Sequence, residues 1–456
     1  MSFLPPDTSL VKLTPSRHPI AGTITIPASK SFSNRALITA ALASGRSLIQ
    51  GASPSEDTVA LIHALRMLGV SIDTDLDGNL IVEGGIERIP EDERVVDVGP
   101  AGTTMRFLLS LLAATRSGKT LLRGSERMHQ RPIGDLVDAL RGLGADISYL
   151  GTEGCPPVEI RGKTLAGGAA SIPGTTSSQF ISSLLLVAPC FSEGLNLEVR
   201  GGLVSSSYVG TTLDVMERFG VKVAESNRPH CYHVPAGDRY QPLSYQPEGD
   251  ATGATYWWGI AAISGGSVTV RNISRTSRQG DLAILDILAA MGCTVTSSSD
   301  AIDRLHIDDG KGNSIPWVQV IGPSQLLATN ADMTLLPDSG QTMAVVAACA
   351  AGTSHLTGLE TLSKKESDRI GDTIRELASV GISATGSDNS MTIIGGAPAP
   401  SRPIATYHDH RMAMAFAMLA AAYSRVAISD PKVTGKSYPD FWRDLSSLGI
   451  GVSFGE

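Results

Sequence analysis

The stretch Asp57-Thr58-Val59-Ala60-Leu61-Ile62-His63-Ala64-Leu65-Arg66-Met67-Leu68-Gly69-Val70-Ser71-Ile72 decides how the chain is read. Leu61, Leu65 and Leu68 recur at helical spacing, so the segment predicts an amphipathic helix. Asp57 stands at its start, at the positive end of the helix dipole. Gly69 suits the position just past the helix, where a left-handed residue ends it without a Cβ penalty, and Val70 to Ile72 begin a strand. The same sequence of apolar helix, glycine and strand returns at Gly144, Gly220, Gly292, Gly381 and Gly449, at intervals of 68–89 residues. Asp135, Asp281 and Asp440 open three of those helices, Phe441, Leu445 and Leu448 repeat the apolar spacing, and Val221 to Val223 is a further strand after Gly220. Six copies account for nearly all 456 residues, too regular a series for an ordinary α/β chain whose helices happen to end in glycine.

Each copy holds a second helix, rich in small residues and apolar nearly all round: 35–43, 103–114, 179–187, 254–263, 342–350 and 411–421. Such helices belong in an interior. Short strands such as 119–122, 195–199 and 268–270 lie between the helices, so the repeat reads β-α-β-α-β-β. The Pro-rich stretch from Asn227 to Pro247 falls midway and predicts a connection between halves of three units each, with a cleft between them.

Composition narrows the function classes. Hydrophobic residues make up 42% and charged residues 18%, which excludes a mainly disordered chain. No apolar run reaches the length that spans a bilayer, and the first residues show neither a signal nor a transit peptide, so no membrane partner is expected. The five cysteines are scattered without a CxxC pair, which argues against a disulfide framework or a zinc site and for a reducing cytoplasm. A net charge of −8 disfavours nucleic acid as a partner, so any anion must be held by a local basic cluster.

The buried helices begin with residues able to make such sites: Ser29-Lys30-Ser31, Gly99-Pro100-Ala101-Gly102-Thr103-Thr104, Gly174-Thr175-Thr176-Ser177-Ser178-Gln179, Asp250-Ala251-Thr252-Gly253, Pro337-Asp338-Ser339-Gly340 and His408-Asp409-His410-Arg411. Free N–H groups, hydroxyls and the dipole end bind anions, although Ser, Thr and Asp also serve simply as caps. Arg123, Arg127 and Arg131 surround Met128. Lys365 and Arg369 are four apart, on one face if helical, with Glu366 beside them; a solvated charged turn is the plainer reading. Arg411 opposes the dipole of its helix, which costs stability unless an anion binds or Asp409 or Asp338 pairs with it. Lys436 follows in a loop. Asp338 either caps its helix or acts as a general base beside cations. His408, Asp409 and His410 lack metal-ligand spacing, and GxxxxGK[ST], GxGxxG and GxSxG are absent, so neither a metal nor a nucleotide cofactor is expected.

Taken together, residues 27–35, 101–106, 127–134, 177–180, 365–369 and 409–414 make the chain resemble the 5-enolpyruvylshikimate-3-phosphate synthases of the enolpyruvyl transferase family, from about residue 15 to the C-terminus. The resemblance implies a two-domain inverted α/β barrel of six βαβαββ units, three per domain, with the active site in the interdomain cleft. It further implies that the N-terminal strand crosses back. Residues 1–28 plus 248–456 would then form the phosphoenolpyruvate-side domain and 29–247 the shikimate-3-phosphate-side domain. The implied reaction passes the enolpyruvyl group of phosphoenolpyruvate to the 5-hydroxyl of shikimate 3-phosphate, without a cofactor or metal, in aromatic amino acid biosynthesis.

By the same resemblance, Ser177, Ser178 and Ser205 hold the shikimate phosphate, with Gln179 against the ring and Tyr208 beside the reacting centre. Ser31, Arg35, Asp338 and Lys365 position the shikimate hydroxyls and carboxylate. Lys30, Arg127, Gln179, Lys436 and the backbone at Gly102 take the phosphate of phosphoenolpyruvate, with Lys30 also reaching shikimate 3-phosphate. Arg369 and Arg411 grip the carboxylate of phosphoenolpyruvate. Asp338 accepts the 5-hydroxyl proton and Glu366 protonates the methylene carbon, with Lys365 completing the catalytic set. A monomer is implied, and Gly102 leaves room for glyphosate to compete with phosphoenolpyruvate.

Pro100, Phe107 and Thr361 depart from the residues often found there, which touches the detailed fit around phosphoenolpyruvate. A UDP-N-acetylglucosamine enolpyruvyl transferase would typically have Lys-Asn in place of Lys30-Ser31 and often a cysteine in the loop at 120–131. A non-catalytic anion-binding scaffold of the same fold would lack the proton carriers Asp338, Lys365 and Glu366.

Overall fold

The computed structural model describes residues 5, 8–85, 92–116, 118–225, 229–299 and 315–455. They divide into two compact units, Ala28–Pro247 and a discontinuous one made of Met1–Pro27 with Glu248–Glu456. Ala28 goes with the former, one residue before the expected boundary. Each unit has its own hydrophobic core.

The helices of the unit Ala28–Pro247 are α1 (Lys30–Leu42), α2 (Glu56–Met67), α3 (Gly102–Ala114), α4 (Gly134–Gly142), α5 (Ser178–Val187) and α6 (Ser206–Arg218). The small-residue helices α1, α3 and α5 are buried almost throughout and pack on one another. Four-stranded sheets lie outside them. In the second module, Arg94–Asp97 runs parallel to Lys119–Arg123, which pairs antiparallel with Val158–Arg161 and through it with Asp146–Tyr149. Val96, Leu122 and Val158 fall in register across this sheet and are fully buried, because alternate side chains share a face. The first module completes its sheet with Ser244–Tyr245, parallel to Leu48 and Ile49. The expected connection at 227–247 therefore also closes its unit: the buried Tyr240 donates from its hydroxyl to Leu186 O at 3.0 Å. Asn227 lies outside the described residues. The strand expected at Val221–Val223 sits later, at Ala224–Glu225.

The other unit contains α7 (Ala251–Ser264), α8 (Ile284–Ala290), α9 (Gly340–Ala348), α10 (Arg369–Ser379), α11 (His410–Ala417) and α12 (Phe441–Ser447). The N-terminal segment supplies two strands here. Ala21–Thr25 pairs parallel with Ser267–Arg271, and Leu10–Thr14 lies antiparallel between Val426–Ser429 and Gly451–Gly455. The sixth module thus departs from the repeat: its sheet has three strands, with the chain's beginning where a hairpin strand was expected. No described helix is long and apolar enough to cross a membrane.

All six repeat glycines have positive φ, from 82° to 104°, as a left-handed helix end requires. Further glycines form a contact the repeat reading did not anticipate. Gly84, Gly322 and Gly395 each follow a module's last strand, and a Cβ on them would clash with the carbonyl oxygens of Ala40 in α1, Ala261 in α7 and Ala350 just past α9 (Gly340–Ala348). Each donates its N–H to a second glycine, Gly45, Gly266 and Gly352, at 2.8–2.9 Å. The high glycine content thus lets strand ends seat against the C-terminal turns of buried helices.

The aspartates that open the amphipathic helices also do more than face a dipole. Thr104 Oγ1, on α3, donates to the backbone oxygen of Asp57 at 2.9 Å. Thr176 Oγ1, just before α5, donates to Asp135 Oδ2 at 2.6 Å. Ser339, just before α9, donates to Asp281 Oδ1 at 2.5 Å. Each links one module to the start of the next module's buried helix.

The glycine seats are testable in urea. Gly395→Ala, which forces a methyl into the Ala350 carbonyl, is expected to lower unfolding free energy by about 2–3 kcal/mol. Gly142→Ala, at the end of α4 with open space around it, is expected to gain roughly 0.5–1 kcal/mol. Equal effects at the two positions would contradict the packing argument.

Candidate active site

In the unit Ala28–Pro247 the starts of α1, α3 and α5 carry the expected groups. Ser29 enters α1 in an extended conformation without capping it by its side chain, and Lys30 follows with its Nζ 3.1 Å from Asp57 Oδ2. Asp57 thus pairs with the half-buried Lys30, a role for Asp57 that the dipole reading missed. Ser177 caps α5 by accepting from Gln179 N, and Gln179 Nε2 donates to Thr103 Oγ1 on α3 at 3.3 Å, which ties the two helix starts together. Ser205 is buried with φ 52°, an unfavourable conformation for a serine, at the start of α6; Tyr208 lies in that helix's first turn.

Arg35, expected to position shikimate, turns most of its donors onto its own unit. It is buried, and its Nε donates to Thr212 Oγ1 at 2.7 Å, Nη1 to Ser31 O at 2.8 Å, and Nη2 to Ser182 Oγ at 3.2 Å and Tyr208 O at 3.0 Å. Four of its five N–H groups are therefore spent inside the unit, and burial pushes its pKa down to about 10. Its main role here is to tie α1 to α5 and α6.

Gly102 also differs. The room expected there is filled by a guanidinium: a Cβ on Gly102 would lie 2.6 Å from Arg131 Nη1. Arg106, one turn along α3, donates back to Gly102 O at 3.0 Å and to Pro132 O at 3.1 Å. Arg131 and Arg106 thus stand over the helix start, while Arg127 is exposed with Nη1 3.1 Å from Gln130 Oε1.

The other unit assembles the titratable groups. Asp338 sits in a 3-10 turn (Pro337–Ser339) ahead of α9, whose N-cap position is taken by Ser339. Its Oδ1 is 3.2 Å from Lys365 Nζ and 3.0 Å from Arg369 Nη1, and its Oδ2 is 3.1 Å from Arg411 Nη2. Lys365 and Arg369 do not share a helix face, because α10 begins only at Arg369; Lys365 comes from the turn before it. Arg369 is 1% exposed and touches two further carboxylates, Asp409 Oδ2 through Nε at 2.7 Å and Glu366 Oε2 through Nη2 at 2.7 Å. The other Glu366 oxygen is 2.7 Å from Lys436 Nζ. Asp409 caps α11, accepting from Arg411 N at 2.9 Å. Arg411 also approaches the buried Tyr256 hydroxyl at 3.4 Å. The helix-dipole cost of Arg411 is therefore offset within the unit by Asp338 and needs no external anion.

Burial alone would raise the Asp338 carboxyl pKa. The charges of Lys365, Arg411 and Arg369 outweigh it and hold the group well below the usual carboxylate range, with Glu366 opposing them. Burial lowers the Arg369 pKa, but Asp409, Glu366 and Asp338 overcome that and raise it. Lys365, Glu366, Arg369, Arg411 and Lys436, expected together, do converge on Asp338 and on one another. Asp409 is the member that sequence reasoning passed over; its adjacency to Arg411 suggested a pair with the wrong arginine.

The sequence profile of the EPSP synthase (3-phosphoshikimate 1-carboxyvinyltransferase) family matches residues 15–445. A 3-phosphoshikimate 1-carboxyvinyltransferase of Methanosphaerula palustris is 42% identical, over 95% of this chain and 98% of its own. One from Shewanella pealeana is 37% identical over 94% and 97%. Among solved structures, the EPSP synthase of Acinetobacter baumannii superimposes with a TM-score of 0.80 at 26% identity, covering 98% of this chain and 100% of its own. The enolpyruvyl transferase NikO of Streptomyces tendae shares the fold, with a TM-score of 0.75 at 17% identity over 98% and 99%. The chain belongs to the EPSP synthase family, whose members are 3-phosphoshikimate 1-carboxyvinyltransferases.

Proposed function

We infer that the chain transfers the enolpyruvyl group of phosphoenolpyruvate to the 5-hydroxyl of shikimate 3-phosphate, releasing inorganic phosphate, within the shikimate pathway to aromatic amino acids. The observation that carries this reading is the buried Asp338 carboxylate ringed by Lys365, Arg369 and Arg411, with Glu366 on Lys436 beside it. The cations suit the carboxylate and phosphate of phosphoenolpyruvate, and two carboxyl groups of different surroundings suit the two proton movements.

In the addition step the 5-hydroxyl oxygen bonds to C2 of phosphoenolpyruvate, Asp338 takes the hydroxyl proton, and Glu366 delivers a proton to the methylene carbon. In the elimination step the bond from C2 to the phosphate oxygen breaks, the new methyl group returns a proton, and phosphate leaves. Ser177, Ser178, Ser205, Ser31 and Gln179 in the unit Ala28–Pro247 would hold shikimate 3-phosphate, with Tyr208 near the reacting carbon. Arg35, spent on internal bonds, would act on it through Ser31 and one remaining N–H. Lys30, Arg127 and Lys436 would take the phosphate of phosphoenolpyruvate, with the backbone at Gly102, and Arg369 and Arg411 its carboxylate.

Glyphosate, a phosphonate with a carboxylate, would compete for the same cations, with Arg131 over Gly102 as the group a larger residue would displace. We take the protein to act as a monomer in the cytoplasm, a compartment that suits a sequence whose five cysteines are scattered without a CxxC pair.

Asp338 held so acidic in the free site is a weak base. Substrate anions that draw Arg411, Arg369 and Lys365 onto themselves would raise its pKa toward useful range. Carboxyl NMR should therefore find Asp338 titrating below an ordinary exposed aspartate in the free chain, with its titration moved upward when both substrates occupy the site. A free-chain titration at or above that of an ordinary exposed aspartate would contradict this.

The functional reading is tested by phosphate release from phosphoenolpyruvate, expected with shikimate 3-phosphate and not with UDP-N-acetylglucosamine. Exposed Arg127 supplies the matching variant. Arg127→Ala is expected to cut kcat/KM at least about 100-fold while shifting stability by no more than about 0.5 kcal/mol. Release driven by the UDP-sugar, or full activity without Arg127, would count against the reading.

A further inference from the structure

Asp281 has no part in the reaction as assigned, yet it is a buried carboxylate next to the charged cluster. It lies in the turn leading into α8 and is 5% exposed. One oxygen accepts from Ser339 Oγ at 2.5 Å and the other from Thr252 Oγ1, at the start of α7, at 3.0 Å. Ser339 is fully buried and follows Asp338 directly on the one-turn Pro337–Ser339 segment. Among the described residues no cation hydrogen-bonds to Asp281. A buried carboxylate held only by hydroxyls is costly, and its isostere Asn could accept at only one of the two oxygens.

We propose that Asp281 is a positioning residue: through Ser339 it fixes the turn that aims the Asp338 carboxylate at Lys365, Arg369 and Arg411. The chain contains its own comparison. Asp57 and Asp135 occupy the same place at the openings of α2 and α4, and they engage Lys30 and Thr176. Of these three aspartates, Asp281 is the one whose partner adjoins the carboxylate of a buried ion cluster. The α7 side of the tether is equally anchored, since Thr255 and Thr342 approach at 3.3 Å between α7 and α9. Burial pushes the Asp281 carboxyl up to about 6, against the hydrogen bond from Ser339; Asp338 and Asp250 add to the rise and Arg411 opposes it. Its two oxygens each accept from a hydroxyl, Ser339 on one and Thr252 on the other.

The proposal rests on Asp338 being the proton acceptor, so turnover by the unaltered chain is measured first and tests that reading separately. Asp281→Asn and Ser339→Ala are each expected to lower kcat about 10- to 100-fold, with KM for both substrates within about threefold. The double variant should be no slower than the worse single one, because both changes cut the same tether. A crystal structure of Ser339→Ala should show the Asp338 carboxylate more than about 4 Å from at least one of its three cations. Unchanged kcat in Ser339→Ala, losses that multiply in the double variant, or an unmoved Asp338 would each overturn the proposal. Should Asp281→Asn fail to fold, kcat and the crystal structure of Ser339→Ala, which deletes one hydroxyl, decide it alone.

Discussion

A single buried guanidinium organises the charged cluster around Asp338. Arg369 lies 2.7–3.0 Å from Asp338, Glu366 and Asp409, which come from three separate turns of the chain. A cation taken out of water at 1% exposure is tolerated only when such partners surround it. Its planar fork can satisfy all three at fixed angles, which a lysine ammonium cannot. Once Arg369 is placed, the turn before α9, the start of α10 and the cap of α11 are mutually fixed. Arg411 and Lys436 then arrive on carboxylates already in position.

That arrangement is a charge-reversed form of a device used elsewhere in the repeat. Asp57, Asp135 and Asp281 open their modules' amphipathic helices and reach the start of the next buried helix. In the fifth module the opening residue is Arg369, and the reach is to Asp409 ahead of α11. Reversing the sign at one module turns a structural link into a cluster with more positive than negative arms around Asp338. In a chain of net charge −8, this concentrates cations locally against the general field.

Much of the fold was legible because its signals are local. A helix that ends in glycine is written within a few residues, and all six such glycines have the left-handed backbone the reading required. The small-residue helices were legible for the same reason. What could not be read was pairing between distant segments: that Leu10–Thr14 would sit between Val426–Ser429 and Gly451–Gly455, or that Ser244–Tyr245 would complete the first module's sheet. The site divides likewise. Residue types near Asp338 were recoverable from motifs, but direction was not. Arg35 turns inward onto Thr212 and Ser182, Arg131 fills the space over Gly102, and Asp409 serves Arg369 instead of the side chain of its neighbour Arg411. Those outcomes depend on side chains that meet only after the modules pack.

The interlock around Arg369 is tested most directly by Arg369→Lys, which keeps the charge and removes the fork. Calorimetry of shikimate 3-phosphate binding, run beside steady-state kinetics on the same sample, gives both halves of the answer. The account expects shikimate 3-phosphate affinity within about threefold of the unaltered chain and kcat lower by at least about 100-fold. Turnover at the unaltered rate would show that a point charge suffices and that the three-carboxylate geometry is not what the site depends on.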